Sequence, residues 1–444
     1  MSFLPDTIRE RLDKLLSTPT RKRLASGAIW GSVAAAGSRL LTLAASFFLA
    51  RILGQVGFGE YGMVNSTAGM ISSLAGMGIG LTVTKHVAEF KNKDPDKVGR
   101  ILALSSMVTM FSAFIYGVAF VVLAPWLATA TIAAPHLAPM LQISAITVAL
   151  GVINGVQTSS LDGCEAFRAK SYISVGTGIV QTVLVVIGAW LWGLKGAIAA
   201  MALGMVLTVI LTRWAVTKEW RRFNIRLRWY EARQEWRVLV NFSLPSFLAA
   251  ISVGPALWGS SAFLANQPNG YAELGIYNAA NQWYSAVLLI PALVGTAILP
   301  VLSEKYGAGD RPGVMRVMKG MMGVAALIVV PLSIFLCLLS PLIMAGYGDG
   351  FRNTHWTFII TVATAGLLAV MQPVGNLIAA SGKMWMGFIM NTGWGAFLLL
   401  GSWLMVRWGA EGLAGARLIA YLAHSVWVFG YAVSMSRTKQ HENE

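Results

Sequence analysis

Long apolar stretches dominate the sequence, and short polar segments separate them. Each stretch has about 20 or more residues with few charges, which is enough to cross a bilayer as a helix. We predict twelve spans, at about residues 24–50, 58–83, 101–124, 138–161, 171–192, 196–217, 239–265, 275–302, 317–345, 354–380, 385–406 and 412–435. The predicted fold class is therefore an all-α polytopic membrane protein.

The composition agrees with this pattern. Of the 444 residues, 56% are hydrophobic and only 12% are charged, whereas about 25% are charged in a typical soluble domain. A soluble enzyme, a nucleic-acid-binding protein and a disordered chain are thereby excluded. The two cysteines, Cys164 and Cys337, lie on separate segments and indicate no disulfide framework.

The distribution of charge predicts an orientation. The net charge is +15, from 34 Lys and Arg against 19 Asp and Glu. With both termini in the cytoplasm, 28 of the 34 basic residues fall on the cytoplasmic side, as the positive-inside rule requires. The basic excess is therefore interpreted as a topology signal, and no nucleic-acid partner is expected.

A basic loop at 218–238 divides the spans into six and six. We interpret it as a positive-inside anchor with Trp220, Trp229 and Trp236 at the lipid headgroups. The predicted organisation is a cytoplasmic amphipathic segment (1–23), an N-terminal six-helix lobe (24–217, the N-lobe), the basic cytoplasmic linker (218–238), a C-terminal six-helix lobe (239–435, the C-lobe) and a cytoplasmic tail (436–444).

Two patterns recur at one offset. Gly59, Tyr61 and Asn65 form Gly-x-Tyr-x-x-x-Asn, which returns 216 positions later at Gly275, Tyr277 and Asn281. Trp192-Gly193-x-x-Gly196 returns at Trp408-Gly409-x-x-Gly412, and 408 − 192 is again 216. We infer a duplicated six-helix unit. Six is even, so the two lobes have the same orientation and can enclose a central cavity.

Several segments resemble a known family. Ala50-Arg51-Ile52-Leu53-Gly54, followed by Phe58-Gly59-Glu60-Tyr61, is similar to a signature of polysaccharide flippases, and so is the segment 84–90, Thr-Lys-His-Val-Ala-Glu-Phe. With its twelve spans, the chain resembles Wzx-type lipid-linked oligosaccharide flippases. These belong to the multidrug/oligosaccharidyl-lipid/polysaccharide (MOP) exporter superfamily, which includes the multidrug and toxic compound extrusion (MATE) transporters.

The resemblance carries expectations about function. It implies a MOP/MATE-like fold and a bacterial inner-membrane flippase. The substrate would be an undecaprenyl-diphosphate-linked oligosaccharide, an O-antigen or exopolysaccharide repeat unit, moved from the inner to the outer leaflet by alternating access. No cofactor is expected. Membrane lipids and the polysaccharide polymerase and chain-length proteins are the expected partners.

Two other transporter classes remain as alternatives. One is a MATE-like cation or drug antiporter, and the other is a different twelve-helix secondary transporter. The loop at 91–100 does not fit the Gly-x-x-x-Asp-Arg-x-Gly pattern of major-facilitator proteins. None of the 19 acidic residues falls in the middle of a span, which favours an anionic substrate over a cationic one. The five histidines show no metal spacing and no nucleophile–base pair is evident, so an enzyme is not expected.

Basic residues within the spans are the first candidate ligands. Arg39 lies 15 residues into span 1, about 22 Å from its start, and should face a polar cavity because an unpaired charge in lipid is expensive. Its forked donors suit a diphosphate. Arg417 is either a second ligand or a side chain that snorkels to the outer surface, and Lys85 is either a diphosphate contact or an interface anchor.

Polar side chains on spans 2 and 8 complete the predicted substrate site. They are Asn65, Asn278, Asn281, Gln282 and Trp283, and interhelical hydrogen bonding is the alternative role for the amides. His424, Glu60 and Asp162 are candidates for a proton or coupling role, although a buried, hydrogen-bonded histidine is the favoured interpretation of His424.

Overall fold

The computed structural model describes residues 19–76, 78–236, 253–381 and 384–437, and no strand occurs within these ranges. Seven helical segments there are long and apolar enough to cross a membrane. Three of them contain two passes each, joined at a sharp break, so the seven segments account for ten of the twelve predicted spans. The described parts of the other two are Val253–Ala265 in span 7 and Gly270–Gly307 in span 8. The predicted amphipathic helix near the N-terminus and the tail lie almost wholly outside the described residues.

The helices of the N-lobe follow the predicted order. Span 1 and the first part of span 2 share the helix Pro19–Ala75, which breaks at Gly54, and span 2 continues as Ile79–Phe90. Span 3 is Pro95–Trp126 and span 4 is Ala138–Gly163, with a π-helix Leu127–Thr131 and a 3-10 turn Pro135–Leu137 between them. Spans 5 and 6 share Phe167–Arg222.

The C-lobe repeats this order. Its described helices are Val253–Ala265 in span 7, Gly270–Gly307 (span 8), Arg311–Leu338 with Ser340–Gly346 (span 9), His355–Ala380 (span 10), Met384–Met405 (span 11) and Gly409–Arg437 (span 12). Short 3-10 turns occur at Ala232–Glu235, Asp349–Phe351 and Val406–Trp408.

The backbone supports the duplication. Gly193 joins spans 5 and 6 with φ 59° and ψ −143°, and Gly409 joins spans 11 and 12 with φ 62° and ψ −139°. These left-handed conformations suit glycine because it lacks a Cβ atom. The two residues are 216 positions apart, so the sequence repeat is also a structural repeat.

Span 2 differs from its prediction. The predicted span over 58–83 is present but interrupted, because the helix ends at Ala75 and restarts at Ile79, next to Gly78 with φ 65°. The Ser112 hydroxyl of span 3 donates a hydrogen bond of 2.6 Å to the Ala75 carbonyl. A side chain thus satisfies a carbonyl at the end of a helix, and this makes the break tolerable inside a membrane protein.

The linker is fastened to the N-lobe. Arg228 forms an ion pair with Asp96 at 2.8 Å, and Arg100 forms one with Glu235 at 3.1 Å. Trp220 is buried, and its indole N–H donates to the Ser160 hydroxyl at 2.9 Å. Its predicted place at the headgroups is therefore wrong, whereas Trp229 and Trp236 are exposed. The domain boundaries themselves stay predictions.

Contacts between the lobes close one end of the bundle. We call this end, which carries the breaks at Gly54, Gly193 and Gly409, the far end, and the opposite end, where the linker lies, the near end. At the far end, the Arg51 side chain donates to the Gly346 carbonyl at 2.8 Å, and the Tyr271 hydroxyl donates to the Ile132 carbonyl at 2.7 Å. These bonds join the two lobes, so the far end is closed.

Candidate functional site

A cavity of about 310 Å³ lies between the lobes. Span 2 of the N-lobe forms one side, and spans 7, 8 and 12 of the C-lobe form the other. Five of the predicted substrate-binding residues line it: Asn65, Asn278, Asn281, Gln282 and Arg417. Among the described lining residues, Arg417 carries the only charged side chain.

The repeated motif explains why residues from both lobes meet here. A Cβ atom at Gly59 would collide with the Tyr271 carbonyl, and one at Gly275 would collide with the Gln55 carbonyl. Spans 2 and 8 can therefore approach closely only because both positions are glycine. The tyrosine and asparagine that follow each glycine line the same cavity from opposite sides.

Arg417 is held in the cavity wall with 6% of its surface exposed. Its guanidinium donates hydrogen bonds to the Tyr277 hydroxyl at 3.1 Å and to the Asn281 side-chain carbonyl at 2.8 Å. It also lies 3.8 Å from the centre of the Tyr284 ring. Because the side chain is buried in this way, the structure favours a cavity position over snorkelling to the surface.

The Arg417 guanidinium retains unused hydrogen-bonding capacity. Its Nε atom is buried and has no hydrogen-bond partner among the described residues. Within the described ranges, its hydrogen bonds go to the neutral side chains of Tyr277 and Asn281, and no carboxylate is among its partners. A buried cation with an unpaired donor is costly, so the arrangement suits an anionic ligand.

Arg39 reaches across the lobe interface from span 1. Its guanidinium donates to both the backbone carbonyl and the side-chain oxygen of Gln282 on span 8. The side chain is therefore next to the cavity but is not among the residues that line it. Arg39 and Arg417 contact consecutive residues of span 8, Gln282 and Asn281, and two positive charges thus gather along one stretch of this helix.

The polysaccharide biosynthesis protein family matches residues 24–305 of this chain. The chain belongs to that family. It is 23% identical over 423 residues to the EPS I polysaccharide export inner membrane protein EpsE of Ralstonia nicotianae. The alignment covers 92% of this chain and 94% of that relative. A second EpsE, from Ralstonia solanacearum, is 23% identical over 417 residues, or 91% of this chain and 92% of the relative.

Solved structures of other membrane transporters have the same fold as this chain. An inward-facing MATE family multidrug resistance transporter of the MOP superfamily matches with a TM-score of 0.73 and 14% identity, over 90% of this chain and 96% of that one. The lipid II flippase MurJ in an inward closed conformation matches with a TM-score of 0.72 and 14% identity, over 91% of this chain and 87% of that one. The predicted MOP-type fold is confirmed.

Trp283 occupies a different position from the one predicted. Its indole N–H donates to the Tyr347 hydroxyl at 3.2 Å, and its ring packs against Phe47 and Phe358. Tyr347 also stacks on Phe47, with ring centres 4.1 Å apart, and its hydroxyl is 3.0 Å from that of Ser46. Phe47, Trp283, Tyr347 and Phe358 form an aromatic cluster between the lobes, which we call the plug. Trp283 thus belongs to the plug and does not line the cavity.

Four other candidates lie outside the cavity lining. Lys85 is exposed on the near-end helix Ile79–Phe90. Asp162 is paired with Lys170 at 2.7 Å, also at the near end, and Glu60 is paired with His136 at 2.6 Å at the far end. His424 is half-buried on span 12, and its Nε2 atom has no partner among the described residues. Their predicted roles stay predictions.

Sequence reasoning missed the aromatic surroundings of Arg417. Tyr277 belongs to the repeat, and Tyr421 is one helical turn beyond Arg417 on the same face. These spacings were the available signal. Tyr284 belongs to the polar and aromatic run 278–284 that predicts a cavity-lining span 8. Its contact with Arg417 comes from another helix, and only the packing of spans 8 and 12 reveals it.

Proposed function

We propose that the protein is a flippase that moves undecaprenyl-diphosphate-linked oligosaccharide from the inner to the outer leaflet by alternating access. Arg417 is the single observation that carries this proposal. It is a buried cation in the wall of an interlobe cavity, with an unpaired N–H and no carboxylate partner among the described residues. The family and the export proteins among its relatives support the same function.

The chemistry of a diphosphate matches this site. Guanidinium groups bind phosphate oxygens through paired, charge-assisted hydrogen bonds. A diphosphate in the cavity would accept from the Arg417 guanidinium and would supply the negative charge that the wall lacks. Arg39 would add a second cation by exchanging its bonds to Gln282 for bonds to the ligand.

The proposed transport direction follows from the predicted topology. If the near end faces the cytoplasm, as the positive-inside rule predicts, the closed far end faces outward. The structure then corresponds to a state that is closed to the outside, before the lipid-linked glycan is released on that side. Opening the far end would require the bond from Arg51 to Gly346 and the bond from Tyr271 to Ile132 to break.

A cation or drug antiporter is a poorer fit to the cavity. Such a transporter needs a carboxylate that attracts a cationic ligand or binds the coupling ion. Within the described ranges, the residues that line the cavity include no Asp or Glu, and the one charged lining residue is an arginine. This charge would repel a cationic drug.

Mass spectrometry of the lipids that co-purify with the protein tests the proposal. We expect wild-type protein to carry an undecaprenyl-diphosphate-linked glycan, and Arg417→Gln to lose it because Gln has no positive charge. Arg407→Gln is the matched control, since Arg407 is an exposed arginine at the far end, and it should retain the glycolipid. Absence of this lipid from wild type, or equal retention by Arg417→Gln, would contradict the proposal.

A further inference from the structure

The cavity contains two half-sites that arose from the duplication. The N half-site is formed by Tyr61 and Asn65 on span 2, and the C half-site by Tyr277 and Asn281 on span 8. Each pair is separated from the other by 216 positions, and all four residues line the same cavity. The two half-sites thus began with the same pair of hydrogen-bonding side chains.

The surroundings of the two pairs have diverged. In the C half-site, the Arg417 guanidinium is bonded to Tyr277 and Asn281 and is flanked by the rings of Tyr284 and Tyr421. Subtracting 216 from positions 284, 417 and 421 gives 68, 201 and 205. The residues there are Ala68, Met201 and Met205, so the N half-site has no counterpart of the cation or of its aromatic neighbours.

The second cation strengthens the asymmetry. Arg39 belongs to the N-lobe, but its guanidinium contacts Gln282 on span 8, next to Asn281. The repeat position of Gln282 is Ser66, a small neutral residue that also lines the cavity. Positive charge therefore collects on the span 8 side of the cavity, while Tyr61, Asn65 and Ser66 give the span 2 side a neutral, hydrogen-bonding surface.

We infer that the cavity orients its ligand, with the C half-site binding the diphosphate and the N half-site reading the first sugar. This inference rests on the proposed function and assigns Asn65 as a specificity-determining residue. Neutral amide and hydroxyl groups match the donors and acceptors of a sugar ring. The first sugar is bonded directly to the diphosphate, so one ligand can contact both sides of a cavity of about 310 Å³.

Asn65→Ala and Asn281→Ala form a matched pair, because the same side chain is removed at equivalent positions of the repeat. Binding to purified protein is measured with undecaprenyl diphosphate and with undecaprenyl diphosphate that carries glucose, galactose or N-acetylglucosamine. The informative quantity is the ratio of the affinity for the best-bound sugar-bearing lipid to the affinity for the bare diphosphate lipid. If an alanine variant fails to purify as a folded protein, the serine variant at the same position, Asn65→Ser or Asn281→Ser, is measured in its place.

We expect Asn65→Ala to lower this ratio about fivefold, as for one neutral hydrogen bond, and to change binding of the bare lipid less than twofold. Asn281→Ala should weaken both ligands about tenfold and leave the ratio unchanged, because it loosens Arg417. Equal effects of the two variants on the bare lipid, or a ratio of one in wild type, would overturn the inference while leaving the proposed function intact. If wild type binds no diphosphate lipid, the proposed function itself fails and the inference fails with it.

Discussion

At the scale of single residues, the molecule keeps two arginines between its lobes by different means. Arg417 is bonded to a hydroxyl and an amide and lies over an aromatic ring. Among the residues that the structure describes, Arg39 donates its hydrogen bonds to Gln282. Neutral acceptors hold each side chain in position without cancelling its charge, so both cations remain able to bind an anion.

Arg39→Ala should abolish glycan export while leaving folding and the amount of protein in the membrane unchanged. The alanine removes the cation that would exchange Gln282 for phosphate. Arg39→Lys should restore part of the export, because it keeps the charge but loses the forked geometry. Complementation of a flippase-deficient strain measures this, and full export by a normally expressed alanine variant would contradict the assigned role.

Cys164 should react slowly with maleimide, and its rate should depend strongly on pH. Burial raises the pKa of this thiol to about 11, and the thiolate is the reacting form. Between pH 7 and pH 9 the rate should therefore rise about tenfold per pH unit without a plateau. Labelling of a Cys337→Ser variant isolates Cys164, and a plateau below pH 9 would show that the thiol is not buried as the structure describes.

At the scale of helices, the breaks at the far end depend on left-handed backbone at glycine. Gly193→Ala should lower the free energy of unfolding by about 1–2 kcal/mol, because a Cβ atom is strained at φ 59°. No atom lies within 4 Å of the added Cβ, so the loss would come from the backbone alone. The measurement is thermal unfolding in detergent.

Gly176→Ala provides the control on the same helix. Gly176 lies within regular helix, and an added Cβ atom there also meets nothing within 4 Å. Alanine favours the helix over glycine by about 1 kcal/mol, so this variant should unfold at the same temperature or a higher one. A lower unfolding temperature for both variants would mean that strain at Gly193 is not the cause.

The spans were predictable because lipid offers no hydrogen-bond partners to the backbone. A long apolar segment therefore satisfies its N–H and C=O groups by forming a helix. The break in span 2 was not predictable, since Gly76 and Gly78 could equally serve close helix packing, and the bond from Ser112 that stabilises the break comes from another span. Asn65, Asn281 and Arg417 were predicted from their types and spacing. The bond from Arg39 to Gln282 and the plug position of Trp283 depend on how the lobes dock, which the pattern within each span does not encode.

At the scale of the whole molecule, the cavity should be reachable by water. Cysteines placed at Asn65 and Asn281, in a background that lacks Cys164 and Cys337, should both react with a small aqueous thiol reagent. Both positions line the interlobe cavity, so labelling of each is expected in at least one state of the transport cycle. Complete protection of both in the presence and absence of substrate would contradict a hydrated cavity.

The charge of the cavity predicts how transport is driven. A diphosphate with two negative charges that moves outward across 100 mV, inside negative, gains about 4.6 kcal/mol if uncompensated. A tenfold concentration ratio contributes only about 1.4 kcal/mol. In proteoliposomes, a potassium-diffusion potential should therefore change the flipping rate. If a pH gradient alone changes it, the potential-driven account is wrong, and His424 becomes the first residue to replace.

The most direct test of the central claim is the flipping of undecaprenyl-diphosphate-linked oligosaccharide in proteoliposomes. Wild-type protein should move this lipid between leaflets faster than protein-free vesicles do. Arg417→Gln should reduce the rate to that of the vesicles alone, and Arg407→Gln should keep the wild-type rate. Flipping by Arg417→Gln at the wild-type rate, or no flipping by wild type above the protein-free rate, would contradict a transporter that recognises its substrate through a buried cation.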